Sequence, residues 1–227
     1  MSAQTMQIGN RPCLIYGEAY AEYLLLQMTG EHEQQSMESE VTAIAQSAHR
    51  FLFAAIPVES WNDALSPWEA PAVWGKQGFS GKAGDTLRFL TERVIPTLKQ
   101  QFNLPENVKI ILGGYSLAGL FALWASTQTR LFYGVAAASP SVWFTGWMEF
   151  EQQHPIQAQH IYLSLGDKEE HTKNTVMSAV GDNIRTLHSR LTARGVHCTL
   201  EWNSGGHFKD ADLRTAKAFR WTMEESR

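Results

Sequence analysis

The stretch VKIILGGYSLAGLFALWAST, residues 108–127, carries most of the fold information in this chain. Its first half is a continuously apolar run rich in β-branched residues, as expected of a strand buried on both faces. Its second half is rich in Leu and Ala and reads as a buried helix. The strand gives way to the helix at Ser116 with almost no connecting loop. Gly114 lies two residues before the serine, while Ala118 and Gly119 follow it. A turn this tight needs small neighbours so that the strand and helix backbones can pass closely. Ser116 therefore has two readings: a helix cap before an apolar helix, or an exposed hydroxyl presented for chemistry at the top of a strand.

Working outward, strand and helix signals alternate along the chain. CLIY (13–16), EYLLLQ (22–27), RFLFAAIPV (50–58), VKIILGG (108–114), YGVAAASP (133–140), HIYLSLG (160–166) and HCTLEW (197–202) read as strands. Helices are expected at 36–49, 84–102, 117–127, 176–194 and 210–224. In the first of them, Ser36 is the expected cap, and Val41, Ile44, Ala45 and Ala48 share one face. The second is expected to kink at Pro96. HCTLEW is polar at alternate positions and belongs near a sheet edge. Strands separated by helix-length segments imply right-handed crossovers, and hence a mostly parallel twisted sheet with helices on both faces. The expectation is one α/β domain spanning 1–227. Ligands of such sheets sit beyond the carboxyl ends of the strands, which makes the residues just after each strand the functional shortlist.

Composition excludes several classes of function. The 227 residues are 44% hydrophobic and 19% charged, with a formal net charge of −4, so no basic field exists to attract nucleic acid or anionic lipid. Apolar runs such as FLFAAIPV (51–58) fall well short of the roughly 20 residues that cross a bilayer. The N-terminal residues MSAQTMQIGNRP lack the basic and apolar regions of a secretory signal, giving a cytoplasmic expectation. Cys13 and Cys198 are widely spaced and read as small core residues rather than a disulfide or metal site. Neither a metal-ligand cluster nor a phosphate-binding glycine loop is present, so no cofactor or metal is expected.

Two later strand ends supply partners for Ser116. His207 lies in NSGGHF, just after the last strand, where Gly205 and Gly206 let the backbone bring an imidazole toward a neighbouring loop. Between serine and histidine, GDKEEH (166–171) offers Asp167, Glu169 and Glu170, one of which would orient the imidazole. The order serine, acid, histidine distinguishes this arrangement from other serine-based constellations. The helix beginning near Leu117 would present its backbone N–H to a developing oxyanion. Trp61, Trp68 and Trp74 fall in the long connection 59–85, either walling an apolar pocket or anchoring the loop.

With these residues in place, the chain resembles the α/β-hydrolase superfamily in a small, lidless or minimal-lid version. Within it the chain is similar to the esterase group that includes esterase D, siderophore esterases and feruloyl esterases. The resemblance in element order covers nearly the whole chain. It implies Glu169 as the acid, three residues after the strand-end Gly166, with Asp167 the fallback. It also implies a second oxyanion donor just after the strand EYLLLQ, which points to Met28 and next to Thr29. Related enzymes often carry His-Gly or Asp-Gly there, where this chain has QMTG. The segment AAASPSVWF (136–144) resembles a stretch of that group in which a serine turn precedes a pocket tryptophan, here Trp143. The implied activity is hydrolysis of a small-molecule ester through an acyl-enzyme intermediate. Acyl transfer or peptide cleavage by the same groups, or an inert hydrolase-like binding protein, are the alternatives, the last kept open by Ala118.

Overall fold

The computed structural model describes residues 2–47 and 49–224. Ten strands are present among these residues: β1 (Gln4–Ile8), β2 (Arg11–Gly17), β3 (Tyr23–Thr29), β4 (Phe51–Pro57), β5 (Glu69–Ala70), β6 (Phe79–Ser80), β7 (Lys109–Tyr115), β8 (Gly134–Ala138), β9 (His160–Gly166) and β10 (His197–Asn203). The α-helices are α1 (Glu31–Ile44), α2 (Trp61–Leu65), α3 (Ala83–Phe89), α4 (Ile95–Gln101), α5 (Leu117–Gln128), α6 (Trp147–Gln153), α7 (Val180–Ala193) and α8 (Ala211–Glu224). Eight strands form one sheet in the order β1-β2-β4-β3-β7-β8-β9-β10. β2 pairs antiparallel with both β1 and β4, and every other neighbouring pair is parallel. β5 and β6 form a separate two-stranded ribbon.

The continuous apolar runs are explained by burial on both faces. On β3, Leu24, Leu26 and Met28 pack into the core shared with α3, α4, α5 and α7, whereas Tyr23 and Leu25 pack under α1 and α8. Phe219 of α8 is fully buried and meets Phe53 edge-to-face at 5.7 Å. Gly113 of β7 serves this packing. A Cβ at Gly113 would stand 2.6 Å from the Phe219 ring, so its absence lets α8 lie close to the sheet.

Several boundaries differ from the sequence reading. α1 starts after Gly30, five residues before the expected Ser36, because the Glu33 carboxylate accepts the Gly30 N–H (2.9 Å) and caps the helix there. Ala48, expected on its apolar face, lies outside the described residues. β3 likewise runs two residues beyond Gln27, through Met28 and Thr29. Pro96 produces a π-helical turn over Leu90–Val94 rather than a simple bend, with the Ile95 N–H donating to the Leu90 carbonyl five residues back. The hairpin strand β1 carries no apolar run to mark it, and only its turn at Gly9, with φ 59°, is visible in the sequence. Trp202 is 37% exposed because β10 is an edge strand, and the Arg185 guanidinium lies over its ring at 4.6 Å. Cys13 is buried and Cys198 half-buried, and both are free thiols.

Candidate active site

Ser116 sits between β7 and α5 with φ 57° and ψ −120°, a conformation that a non-glycine residue holds only when its surroundings impose it. The surroundings here are specific. The Ser116 N–H donates to the Ala138 carbonyl (3.1 Å), and the Ser116 carbonyl accepts the N–H of both Leu120 and Ser141 (3.1 Å each). Leu117 is the first residue of α5, so its N–H precedes the helix's own ladder at the positive end of the helix dipole.

The loop after β10 brings His207 to the serine. The Ser116 hydroxyl is 3.0 Å from His207 Nε2, and His207 Nδ1 is 2.7 Å from Glu169 Oε2. The carboxylate selects the tautomer: Nδ1–H donates to Glu169, leaving Nε2 free to accept the serine proton. Three groups thus stand in hydrogen-bonded series at the carboxyl ends of β7, β9 and β10.

Of the three acids after β9, Glu169 alone reaches the imidazole. Its other oxygen, Oε1, accepts the Gly166 N–H (2.7 Å), the Ser139 hydroxyl (2.8 Å) and Arg214 Nη1 (3.2 Å). A Cβ on Gly166 would stand 2.8 Å from this oxygen, so the strand-end glycine makes room for the acid. Asp167 turns the other way and accepts the Gly205 N–H (2.7 Å), holding the histidine loop. Glu170 pairs with Arg185 at the surface (2.8 Å), and that pairing pulls its carboxyl below the ordinary range.

Residues unmarked by the sequence reading surround this series. Ser141, buried, places its hydroxyl 3.3 Å from Ser116 Oγ. Tyr115 donates its phenol to the His207 carbonyl (2.6 Å), and burial pushes that phenol above its ordinary range, keeping it a donor. Arg214 of α8 bonds the Tyr115 oxygen (3.1 Å) as well as Glu169. The serines are visible in SPS (139–141), although nothing in the sequence pairs them with the acid and the nucleophile. Arg214 gives no local signal at all.

Other expected residues fall differently. Met28 and Thr29 lie inside β3, in register with Ile56 and Pro57, rather than just after the strand. The reading of Met28 as the residue following the strand is corrected accordingly, and that position belongs to Gly30. Trp68 donates its indole N–H to the Thr145 carbonyl (2.9 Å) and packs its ring on Phe144 and Phe150, tying the 59–82 connection to α6. Trp143, half-buried, lies two residues beyond Ser141 and meets Phe79 at 6.4 Å. Among the described residues no group of His, Cys, Asp or Glu could hold a metal ion, and no helix is long and apolar enough to cross a membrane.

A mostly parallel α/β sheet with serine, glutamate and histidine at the ends of β7, β9 and β10 has the architecture of a serine hydrolase. The family model described as "Putative esterase" matches residues 20–211, and the chain belongs to that esterase family. By family it is an ester hydrolase. No curated protein matches it in sequence. Among solved structures it is similar to an IroE-like serine hydrolase from Shewanella oneidensis, with 15% identity and a TM-score of 0.79, covering 96% of this chain and 79% of that one. It is also similar to the siderophore hydrolase EstA from Aspergillus nidulans, with 18% identity and a TM-score of 0.72 over 100% and 95% of the two chains. The enterobactin esterase FES from Shigella flexneri matches at 15% identity and a TM-score of 0.73, over 99% of this chain and 60% of that longer one.

Proposed function

We propose that Ser116 is the nucleophile of this esterase, His207 its general base and acid, and Glu169 the carboxylate that orients His207. The observation that carries this reading is the unbroken series from Ser116 Oγ through both His207 nitrogens to Glu169, at 3.0 and 2.7 Å. His207 takes the serine proton as Oγ attacks the ester carbonyl. The tetrahedral intermediate collapses to an acyl-serine, and His207 gives the proton to the departing alcohol. His207 then takes a proton from water, whose hydroxide attacks the acyl-serine. Return of that proton to Ser116 releases the acid.

The oxyanion is received by the Leu117 N–H and by a second backbone N–H at the carboxyl end of β3 next to Gly30, whose own N–H is given to Glu33. Leu117 is supported by its place at the start of α5, beside the nucleophile. The Gly30 end is supported by its position at the carboxyl edge of the strand adjoining β7. Each such donor typically contributes about 10²- to 10³-fold in rate. Trp143 and Trp68 wall the substrate pocket, a reading supported by the run of aromatic contacts from Trp143 through Phe79 and Phe144 to Trp68.

Two of the structural neighbours are named for siderophore and enterobactin ester cleavage, which makes siderophore esters the first natural class to assay beside short chromogenic esters. Ser116→Ala abolishes turnover of both with the fold unchanged, and a serine-directed phosphonate labels the native chain at Ser116. Turnover that survives this substitution overturns the reading.

A further inference from the structure

We propose that Arg214 is a positioning residue of the esterase, holding Glu169 and the histidine loop in register with the nucleophile. The proposal rests on the reading of Ser116, His207 and Glu169 given above.

Arg214 projects from the first turn of α8 and is only 4% exposed. A guanidinium buried this deeply must satisfy its donors internally, and the partners it uses come from three different strand ends. Nη1 donates to Glu169 Oε1 (3.2 Å), after β9, and to the Tyr115 hydroxyl (3.1 Å), at the end of β7. Nη2 donates to the Ser204 carbonyl (3.2 Å), after β10 and three residues before His207. Tyr115 passes the connection on by donating to the His207 carbonyl at 2.6 Å. One side chain thus links the segments that carry the nucleophile, the acid and the base.

The consequence for Glu169 is directional. With Gly166 N–H, Ser139 O–H and Arg214 all on Oε1, that oxygen has no capacity left for the imidazole, and Oε2 alone faces His207. Rotation of the carboxylate would strand a buried guanidinium and a buried hydroxyl. Close approach is built into the backbone as well, since a Cβ on Gly166 would stand 3.0 Å from Arg214 Nη1.

A purely structural role is separable from this one. Replacing a buried ion pair with apolar groups is often neutral for stability, whereas a displacement of about 1 Å in a reacting group can cost about 10²-fold in rate. The test compares Arg214→Met, Arg214→Lys and Tyr115→Phe with the native chain. It measures kcat and KM on a chromogenic ester, thermal melting, and the downfield proton resonance of His207 Nδ1–H. Arg214→Met is expected to lower kcat by about 10²-fold with KM nearly unchanged, and to shift or broaden that resonance. Arg214→Lys restores the charge without the planar fork and falls between the two. If Arg214→Met fails to fold, Arg214→Lys and Tyr115→Phe carry the test, each expected to lose kcat rather than KM.

Native kcat and an unmoved resonance in a folded Arg214→Met chain overturn the proposal, as does a loss confined to KM. Phosphonate labelling of Ser116 in the native chain separates the two levels. A labelled enzyme indifferent to Arg214 rejects the positioning role alone, whereas turnover that survives Ser116→Ala removes both readings.

Discussion

Gly114 and Ala118 occupy one space at the turn around Ser116: a Cβ on Gly114 would stand 2.6 Å from the Ala118 Cβ. The methyl group that departs from the usual glycine after the nucleophile is accommodated by the glycine before it. Gly119 has its own neighbour, since a Cβ there would lie 3.2 Å from the Cα and Cβ of Pro140. Gly114→Ala is therefore expected to spread the elbow and remove phosphonate labelling. Ala118→Gly keeps labelling and costs about 1 kcal/mol of stability, the usual penalty of glycine inside a helix. Denaturant melts and labelling rates on the two variants check this.

Glu169→Gln is the acid substitution expected to damage turnover most. An orienting carboxylate replaced by its amide lowers kcat by about 10⁴-fold in a well-studied serine triad. Asp167→Asn weakens only the bond to the Gly205 N–H and disturbs the histidine loop, so its loss is expected to be much smaller. Parallel kcat measurements decide between them, and a larger loss in Asp167→Asn reverses the assignment.

The two serines of SPS are expected to separate by readout. Ser139 gives its hydroxyl to buried Glu169, and losing such a bond to a charged acceptor costs about 1.5–3 kcal/mol. Ser139→Ala should therefore melt earlier and turn over more slowly. Ser141→Ala removes only a 3.3 Å contact to the Ser116 hydroxyl and is expected to change kcat/KM far less.

Glu40 makes stability fall toward alkaline pH. Desolvation beneath α1 pushes its carboxyl up to about 8, with a Gln27 amide N–H donated to Oε2 at 3.3 Å. Between its unfolded pKa, near 4.5, and about 8 the native state holds a proton that the unfolded chain has lost. Unfolding free energy then declines with pH by as much as about 1.4 kcal/mol per unit from this group alone. The contribution is fully present below pH 4.5 and gone above pH 8. Glu40→Gln, which cannot ionise, is expected to flatten that slope. Denaturant titrations at pH 5.5 and 8.5 read it directly.

How much was legible follows from where each signal resides. Strands buried on both faces announce themselves as apolar runs, so β3, β4, β7, β8 and β9 are readable, and so is the serine-acid-histidine order after β7, β9 and β10. The β1 hairpin strand, the short α2 and α6 helices and the β5–β6 ribbon carry too few apolar positions to stand out. The start of α1 was misread because Ser36 looks like a cap, whereas the cap at Gly30 depends on a carboxylate three residues downstream. The end of β3 is equally hard to read, and Met28 and Thr29 lie inside the strand rather than just after it.

Local pattern determined the α/β architecture, the position of Ser116 at a strand-helix junction and the loop that carries His207, because each depends on residues within a few positions of one another. Tertiary structure alone decided which acid meets the histidine. Asp167, Glu169 and Glu170 are close neighbours in sequence, and only the folded chain sends them to Gly205, His207 and Arg185 respectively. It likewise brought Arg214 and Tyr115, 99 residues apart, to within 3.1 Å. Such contacts arise from the packing of α8 against the sheet, and no short window of sequence encodes that packing.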